Sequence, residues 1–115
     1  RQRGVDGARK AGSSYPTHEV RKTAPNLFYV PVGGGLMGHD FACENEAPFP
    51  VDVPRRFIKT CCPPGGLVLD CFGGSGTTAH AAHLEGRRWI STDLRRNQCE
   101  LARRRMLDVM REVAA

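Results

Sequence analysis

Long apolar runs are missing from this sequence, which excludes a membrane-spanning helix: the longest uncharged stretches are too short and too polar to cross a bilayer. No charged-then-apolar signal segment begins the chain either, so a soluble cytoplasmic protein is the expectation. Lysine is scarce, with three residues against 14 Arg, and acidic residues number only 12, which leaves a net charge of +5. Arg suits bidentate phosphate contacts, so nucleic acid is a sensible partner, although a GC-rich coding sequence would produce the same usage. The five cysteines, Cys43, Cys61, Cys62, Cys71 and Cys99, are an odd number and lack the two-pair spacing of a zinc site. Neighbours such as Cys61 and Cys62 rarely form a structural disulfide, so all five read as reduced, mostly buried thiols, and no metal is expected.

The 115 residues suffice for one domain but are few for an enzyme that binds two substrates and reads a macromolecule. The chain opens on Arg1 rather than Met, which suits the C-terminal piece of something longer. Residues 1–25 hold six basic side chains and no apolar run, and read as a flexible basic segment or the end of a preceding region. From residue 26 to 115 the pattern is globular. Leu27-Phe28-Tyr29-Val30 predicts a short strand, closed by Pro31 and Gly33-Gly34-Gly35, with a loop to about Pro50. Val51 to Cys61 predicts a helix with Val53, Phe57 and Ile58 at helical spacing, ended by Pro63-Pro64-Gly65-Gly66.

Leu67-Val68-Leu69 shows no alternation and suits a strand covered on both faces. Ser75 to Glu85 then predicts a helix stopped at Gly86, and Trp89-Ile90-Ser91-Thr92 a second strand ending in Asp93. From about Arg96 a long helix follows, with Cys99, Ala102, Met106, Val109 and Val113 as its apolar stripe and Arg103, Arg104 and Arg105 beside or opposite it. This order implies a parallel β-α-β unit of a doubly wound α/β sheet. Two strands cannot make such a sheet alone, so the remaining strands are expected from upstream sequence.

The chemistry concentrates between the first strand and its helix. A helix N-terminus exposes unpaired amide protons and carries about half a positive charge, so it seats a carboxylate or phosphate. Gly73, Gly74 and Gly76 allow a sharp turn and close approach of a ligand, while Ser75, Thr77 and Thr78 add hydroxyls at the same place. Asp93 ends the neighbouring parallel strand, where an acid reaches the same crevice and can accept both hydroxyls of a ribose. Together these features describe a nucleoside with a negatively charged arm, which both nicotinamide dinucleotides and S-adenosylmethionine possess. Gly74-x-Gly76-x-x-Ala79 satisfies the loose dinucleotide pattern. Asp70 counts against it, since it would crowd a pyrophosphate but can meet the ammonium of a methionine arm.

Asp70-Cys71-Phe72-Gly73-Gly74-Ser75-Gly76-Thr77-Thr78 resembles the D-P-F-x-G-S-G-T-T motif of the amino-group DNA methyltransferases. Upstream, Ala47-Pro48-Phe49-Pro50 with Pro54-Arg55-Arg56-Phe57-Ile58 is similar to the segment that precedes this motif in the circularly permuted β-type members. Downstream, Ser91-Thr92-Asp93-Leu94 and the Cys99 to Met106 segment resemble the ribose-binding strand end and its following helix. The resemblance implies a Rossmann-like methyltransferase fold in the intact protein and S-adenosylmethionine as methyl donor. It also implies duplex DNA as substrate, with adenine N6 or cytosine N4 as target and the base flipped out of the stack. On this resemblance Asp70 orients the methionine end, the three glycines give the turn, and Ser75, Thr77 and Thr78 contact the carboxylate. Asp93 takes the ribose hydroxyls, Phe49 lines the pocket, and Phe72 either does the same or packs.

Two departures from the family pattern stand out. Cys71 replaces the usual proline after the first acid, and the catalytic Asp, Asn or Ser followed by Pro-Pro and an aromatic residue is nowhere in the chain. Cys62-Pro63-Pro64-Gly65 lacks both the polar acceptor and the aromatic residue, so no catalytic residue is expected here. The expectation is therefore the cofactor-binding part of such an enzyme, inactive alone, with the catalytic region and most of the target-recognition region upstream. A non-catalytic module that partners a catalytic subunit, and a nicotinamide-binding fragment, are the alternatives. Of the four histidines, His18, His39, His80 and His83, the last two sit three apart on the helix after the turn with no acidic partner in register. All read as surface or packing residues, with His39, in the loop before Phe49, also within reach of a phosphate. The Arg55-Arg56, Arg87-Arg88 and Arg103 to Arg105 runs read mainly as solvated faces, some of them within reach of DNA phosphate.

Overall fold

A proline in the first turn of a helix costs no hydrogen bond, and Pro54 occupies that place in the first α-helix, α1 (Asp52–Cys61). This computed structural model describes residues 25–32 and 39–114. The rest of the basic segment before Pro25, with His18, and the Gly33-Gly34-Gly35 run lie outside the described residues. A short 3-10 helix, η1 (Asp40–Glu44), precedes α1, and then come β1 (Leu67–Asp70), α2 (Thr77–Leu84), β2 (Arg88–Ser91) and α3 (Arg96–Ala114).

The two strands pair in parallel, Leu67 opposite Arg88 through Asp70 opposite Ser91, with α2 as the crossover. This is the β-α-β unit that the sequence order implies. The helix α2 begins two residues later than Ser75, because Gly76 takes a left-handed φ of 80° as its N-cap. At its far end Gly86 has φ 68° and donates to the His83 carbonyl, while the Arg87 amide donates to Ala82 O at 2.8 Å. That pair of bonds is a Schellman closure, which places glycine where the chain must leave the helix left-handed.

Alternation decides what each strand buries. Val68 packs with Val51, Ile58, Ala81 and Ala82, and Trp89 joins this cluster to a second one of Ala79, Met106 and Val109. The side chains of Leu67, Leu69 and Ile90 point the other way and are 51%, 62% and 50% exposed. β1 is thus covered on one face rather than two, because both α1 and α2 lie on the Val68 side.

Four further expectations are corrected. Leu27 to Val30 form no strand, since a strand needs a ladder partner and none lies beside them among the described residues. Phe28 instead rests edge-on against Phe57, under the Arg56 guanidinium, whose Nη2 donates to the Pro25 carbonyl at 2.6 Å. Phe57 is accordingly exposed on the outer side of α1, and Val51, Pro54 and Ile58 form the buried row. On α3 the buried row is Gln98, Leu101, Arg105, Met106 and Val109, whereas Cys99 and Val113 are exposed. The cysteines form no disulfide, but only Cys62 is half-buried; Cys43, Cys61, Cys71 and Cys99 are exposed.

Glu85 ties α1 to the end of α2. It accepts from Arg55 Nε at 2.7 Å and lies 3.4 Å from Lys59 Nζ. Burial would raise its pKa, but the Arg55 hydrogen bond and the Lys59 charge hold it below the usual carboxylate range.

Candidate functional site

The site grows from the way β1 ends. Asp70 Oδ1 accepts from the Phe72 amide at 3.0 Å, a local turn that short acidic and amide side chains favour. Beyond the strands the pairing continues, with Thr92 N donating to Asp70 O at 2.9 Å and Gly73 N to Thr92 O at 2.8 Å. Gly73 is pressed so closely on β2 that a Cβ there would overlap the Ser91 hydroxyl and lie 3.4 Å from Thr92 O. Gly76 lies under α3, where an added Cβ would approach Ala102 Cβ to 3.0 Å. Two of the three glycines therefore serve close packing as well as the turn itself.

Asp93 closes the arrangement from β2. Its Oδ2 accepts from the Gly74 amide at 3.0 Å and its Oδ1 from the Arg95 amide at 2.9 Å. Those two amides, Arg95 first, hold the carboxyl below its ordinary range against a small opposing effect of desolvation. The group is ionised at neutral pH, and each oxygen keeps a further lone pair for a hydroxyl donor.

Between these elements lies a cavity of about 430 Å3, within the range of small-molecule sites. Phe49, Phe72, Gly73, Gly74, Ser75, Thr77 and Asp93 all line it, so seven of the ten residues singled out in the sequence meet there. Asn45, Glu46, Ala47, Leu94 and Arg95 complete the wall. Asp70, Gly76 and Thr78 do not line it. Asp70 turns one oxygen to the Phe72 amide, and Thr78 faces a neighbouring apolar cavity of about 410 Å3 with Phe49, Ile58 and Val68. A larger depression of about 480 Å3 lies between β2 and α3 and shares only Gly74 and Asp93 with this cavity.

The cavity is graded in chemistry. Phe49 and Phe72 offer apolar faces, Asp93 an ionised acceptor pair, and the start of α2 a positive helix end. Such a wall offers chemistry for a ligand that combines an apolar surface, hydroxyl donors and an anionic end. Nothing in the wall requires a pyrophosphate.

Sequence reasoning missed Arg105. This side chain is 0% exposed, and its Nη1 donates to Thr77 Oγ1 at 2.8 Å and to Ser75 O at 3.3 Å. Its Nη2 lies 3.1 Å from His80 Nδ1. Burial pulls the Arg105 pKa down to about 10, and it remains charged at neutral pH. The signal was present in spacing, since Leu101, Arg105 and Val109 lie four apart on one row. His80 is a packing residue as expected, although its partner is a cation and not an apolar wall.

Residues 14–104 match the family model described as DNA methylase, that of the N6 and N4 methyltransferases. Type II methyltransferase M.BglI of Bacillus subtilis is 50% identical over 50 residues, 44% of this chain and 14% of the relative. A candidate DNA modification methylase of Thermus thermophilus, solved in complex with S-adenosyl-L-methionine, superposes with TM-score 0.52 at 38% identity. That match covers 56% of this chain and 26% of the other. The cytosine-N4-specific PvuII DNA methyltransferase superposes with TM-score 0.56 at 26% identity, over 78% of this chain and 38% of the other. The fold is thus part of the doubly wound methyltransferase architecture. The chain spans between 13% and 31% of the length of six curated relatives it matches.

Proposed function

Because the chain belongs to the DNA methylase family of N6 and N4 amino-group methyltransferases, we propose that it is the S-adenosylmethionine-binding part of such an enzyme, acting on duplex DNA. One observation carries the reading: the glycine turn after β1 and Asp93, just beyond β2, meet with Phe49 in a single cavity. Residues 26–115 form this cofactor-binding part, and residues 1–25 a basic segment or the end of the target-recognition region.

S-adenosylmethionine supplies a methyl group on a positively charged sulfur. The chain's own residues bind and orient it. Phe49 and Phe72 cover its apolar surface, Asp93 accepts from the ribose hydroxyls, and Gly73, Gly74 and Gly76 shape the turn. Ser75 and Thr77, with the start of α2, receive the carboxylate, Thr78 packs on the neighbouring apolar side instead, and Asp70, just outside the cavity wall, balances the ammonium with its remaining oxygen. No segment of this chain matches the family's whole catalytic tetrapeptide. The reading therefore places that tetrapeptide upstream, in the circularly permuted order, with the remaining strands covering Leu67, Leu69 and Ile90. The exposed arginines, Arg103 and Arg104 among them, suit phosphate contacts. No described helix is long and apolar enough to cross a membrane, and a cytoplasmic enzyme meeting its DNA there goes with the reading.

Calorimetric titration of the chain tests the proposal. S-adenosylmethionine is expected to bind and NAD to show no heat, with no methyl transfer to duplex DNA by the chain alone. Preference for NAD would overturn the cofactor, and methylation by the isolated chain would overturn its role as a part.

A further inference from the structure

Of the three consecutive arginines on α3, Arg105 alone is buried. A guanidinium is a planar fork of donors, and this one reaches back across about 30 residues of sequence to the cofactor turn. Its two contacts there are not equivalent. The bond to Ser75 O fixes the Ser75–Gly76 peptide unit, whose other end, the Gly76 amide, donates to Gly73 O at 2.8 Å. That unit is held from both sides. The 2.8 Å bond to Thr77 Oγ1 occupies a lone pair of the hydroxyl with a cationic donor.

A hydroxyl that accepts from a cation keeps its own proton to give, and is polarised to give it more strongly. Thr77 is buried yet lines the cavity at the first residue of α2. We propose that Arg105 is a positioning residue that commits the Thr77 hydroxyl to donate toward the carboxylate end of the bound cofactor. The inference rests on the cofactor reading above and adds to it the source of selectivity for the anionic arm. Arg105 touches no ligand in this account. It acts by setting which way a neighbour's proton points and by placing a fixed positive charge behind the helix start.

The test compares two ligands on the full chain by calorimetry: S-adenosylmethionine, and 5′-methylthioadenosine, which keeps the nucleoside and lacks the amino-acid arm. Arg105→Lys retains charge but not the fork. It is expected to weaken S-adenosylmethionine about tenfold, the scale of one charge-assisted hydrogen bond, while methylthioadenosine changes by less than about twofold. In a Thr77→Val background the same Arg105→Lys change should alter S-adenosylmethionine affinity by less than about twofold, because the hydroxyl it orients is gone. Equal losses for both ligands, no loss, or an undiminished loss in the Thr77→Val background would each overturn the proposal. Should Arg105→Lys fail to give a cooperative melt, Thr77→Val alone must show the arm-selective loss, and its absence overturns the proposal equally. A wild-type chain that binds neither ligand refutes the cofactor reading itself, a different result from binding without arm selectivity.

Discussion

Asp93 Oδ2 accepts the Gly74 amide at 3.0 Å, so the acid two residues beyond β2 is fastened to the turn that follows β1. The carboxylate thereby shapes the cavity as well as facing it. Any ligand contact it makes uses lone pairs left over from holding the two backbone amides of Gly74 and Arg95.

Asp93→Ala removes both roles. Affinity for S-adenosylmethionine should fall by about tenfold or more, the cost of leaving polar groups unpaired. Its carboxyl is held low, so the ionised form that grips these amides is present above the ordinary Asp pKa. The contribution is lost as pH falls through the lowered value. Calorimetry at neutral pH checks the first point, and an unchanged affinity would remove the ribose assignment.

Gly73→Ala should destabilise the fold by about 1–3 kcal/mol, the usual cost of an extra methyl group in a packed contact. The new Cβ would overlap Ser91 Oγ and lie 3.3 Å from Ser91 Cβ. Deleting the hydroxyl with Ser91→Ala removes the worst overlap and leaves the rest. Thermal melts should therefore rank wild type first, the Gly73→Ala/Ser91→Ala double variant second and Gly73→Ala last. A double variant no more stable than Gly73→Ala alone would show that the Ser91 contact is not the obstacle.

His80 gives the protein an acid-side weakness. Burial first, then the facing Arg105 with His39, His83 and Arg55 nearby, lowers its pKa to about 4 from an ordinary 6.5. Because the folded state resists a proton that the unfolded state takes, this group's share of stability is full above about pH 6.5. That share is lost as pH falls from there toward about 4, and can reach about 3 kcal/mol. Urea denaturation of wild type and His80→Gln at pH 7.5 and 5 measures it, with the variant expected to show the flatter pH dependence. Identical slopes would mean that His80 does not titrate in this window.

Much of the site was legible because its determinants are local. A run of glycines between an apolar triplet and a helix start constrains only the next few φ angles and amide directions, and Gly74, Gly76 and Gly86 indeed take positive φ. Asp93 was found for the same kind of reason, as the acid two residues beyond a four-residue strand. Where the pattern misled, a partner distant in sequence had decided the outcome. Leu27 to Val30 have strand composition but no neighbour to pair with among the described residues. Phe57 has the right spacing for the core, yet Phe28 and Arg56 hold it outside.

By itself, then, the sequence determined the β-α-β order, the turn from Asp70 to Thr78 and the acid that faces it, because backbone conformation and hydrogen bonding within one turn are short-range. Only the tertiary structure decided that Arg105 turns inward while its neighbours Arg103 and Arg104 face solvent. A charged residue on a helix is scored as solvated until acceptors arrive to desolvate it. Here they are Ser75 O and Thr77 Oγ1, brought to α3 by the parallel crossover.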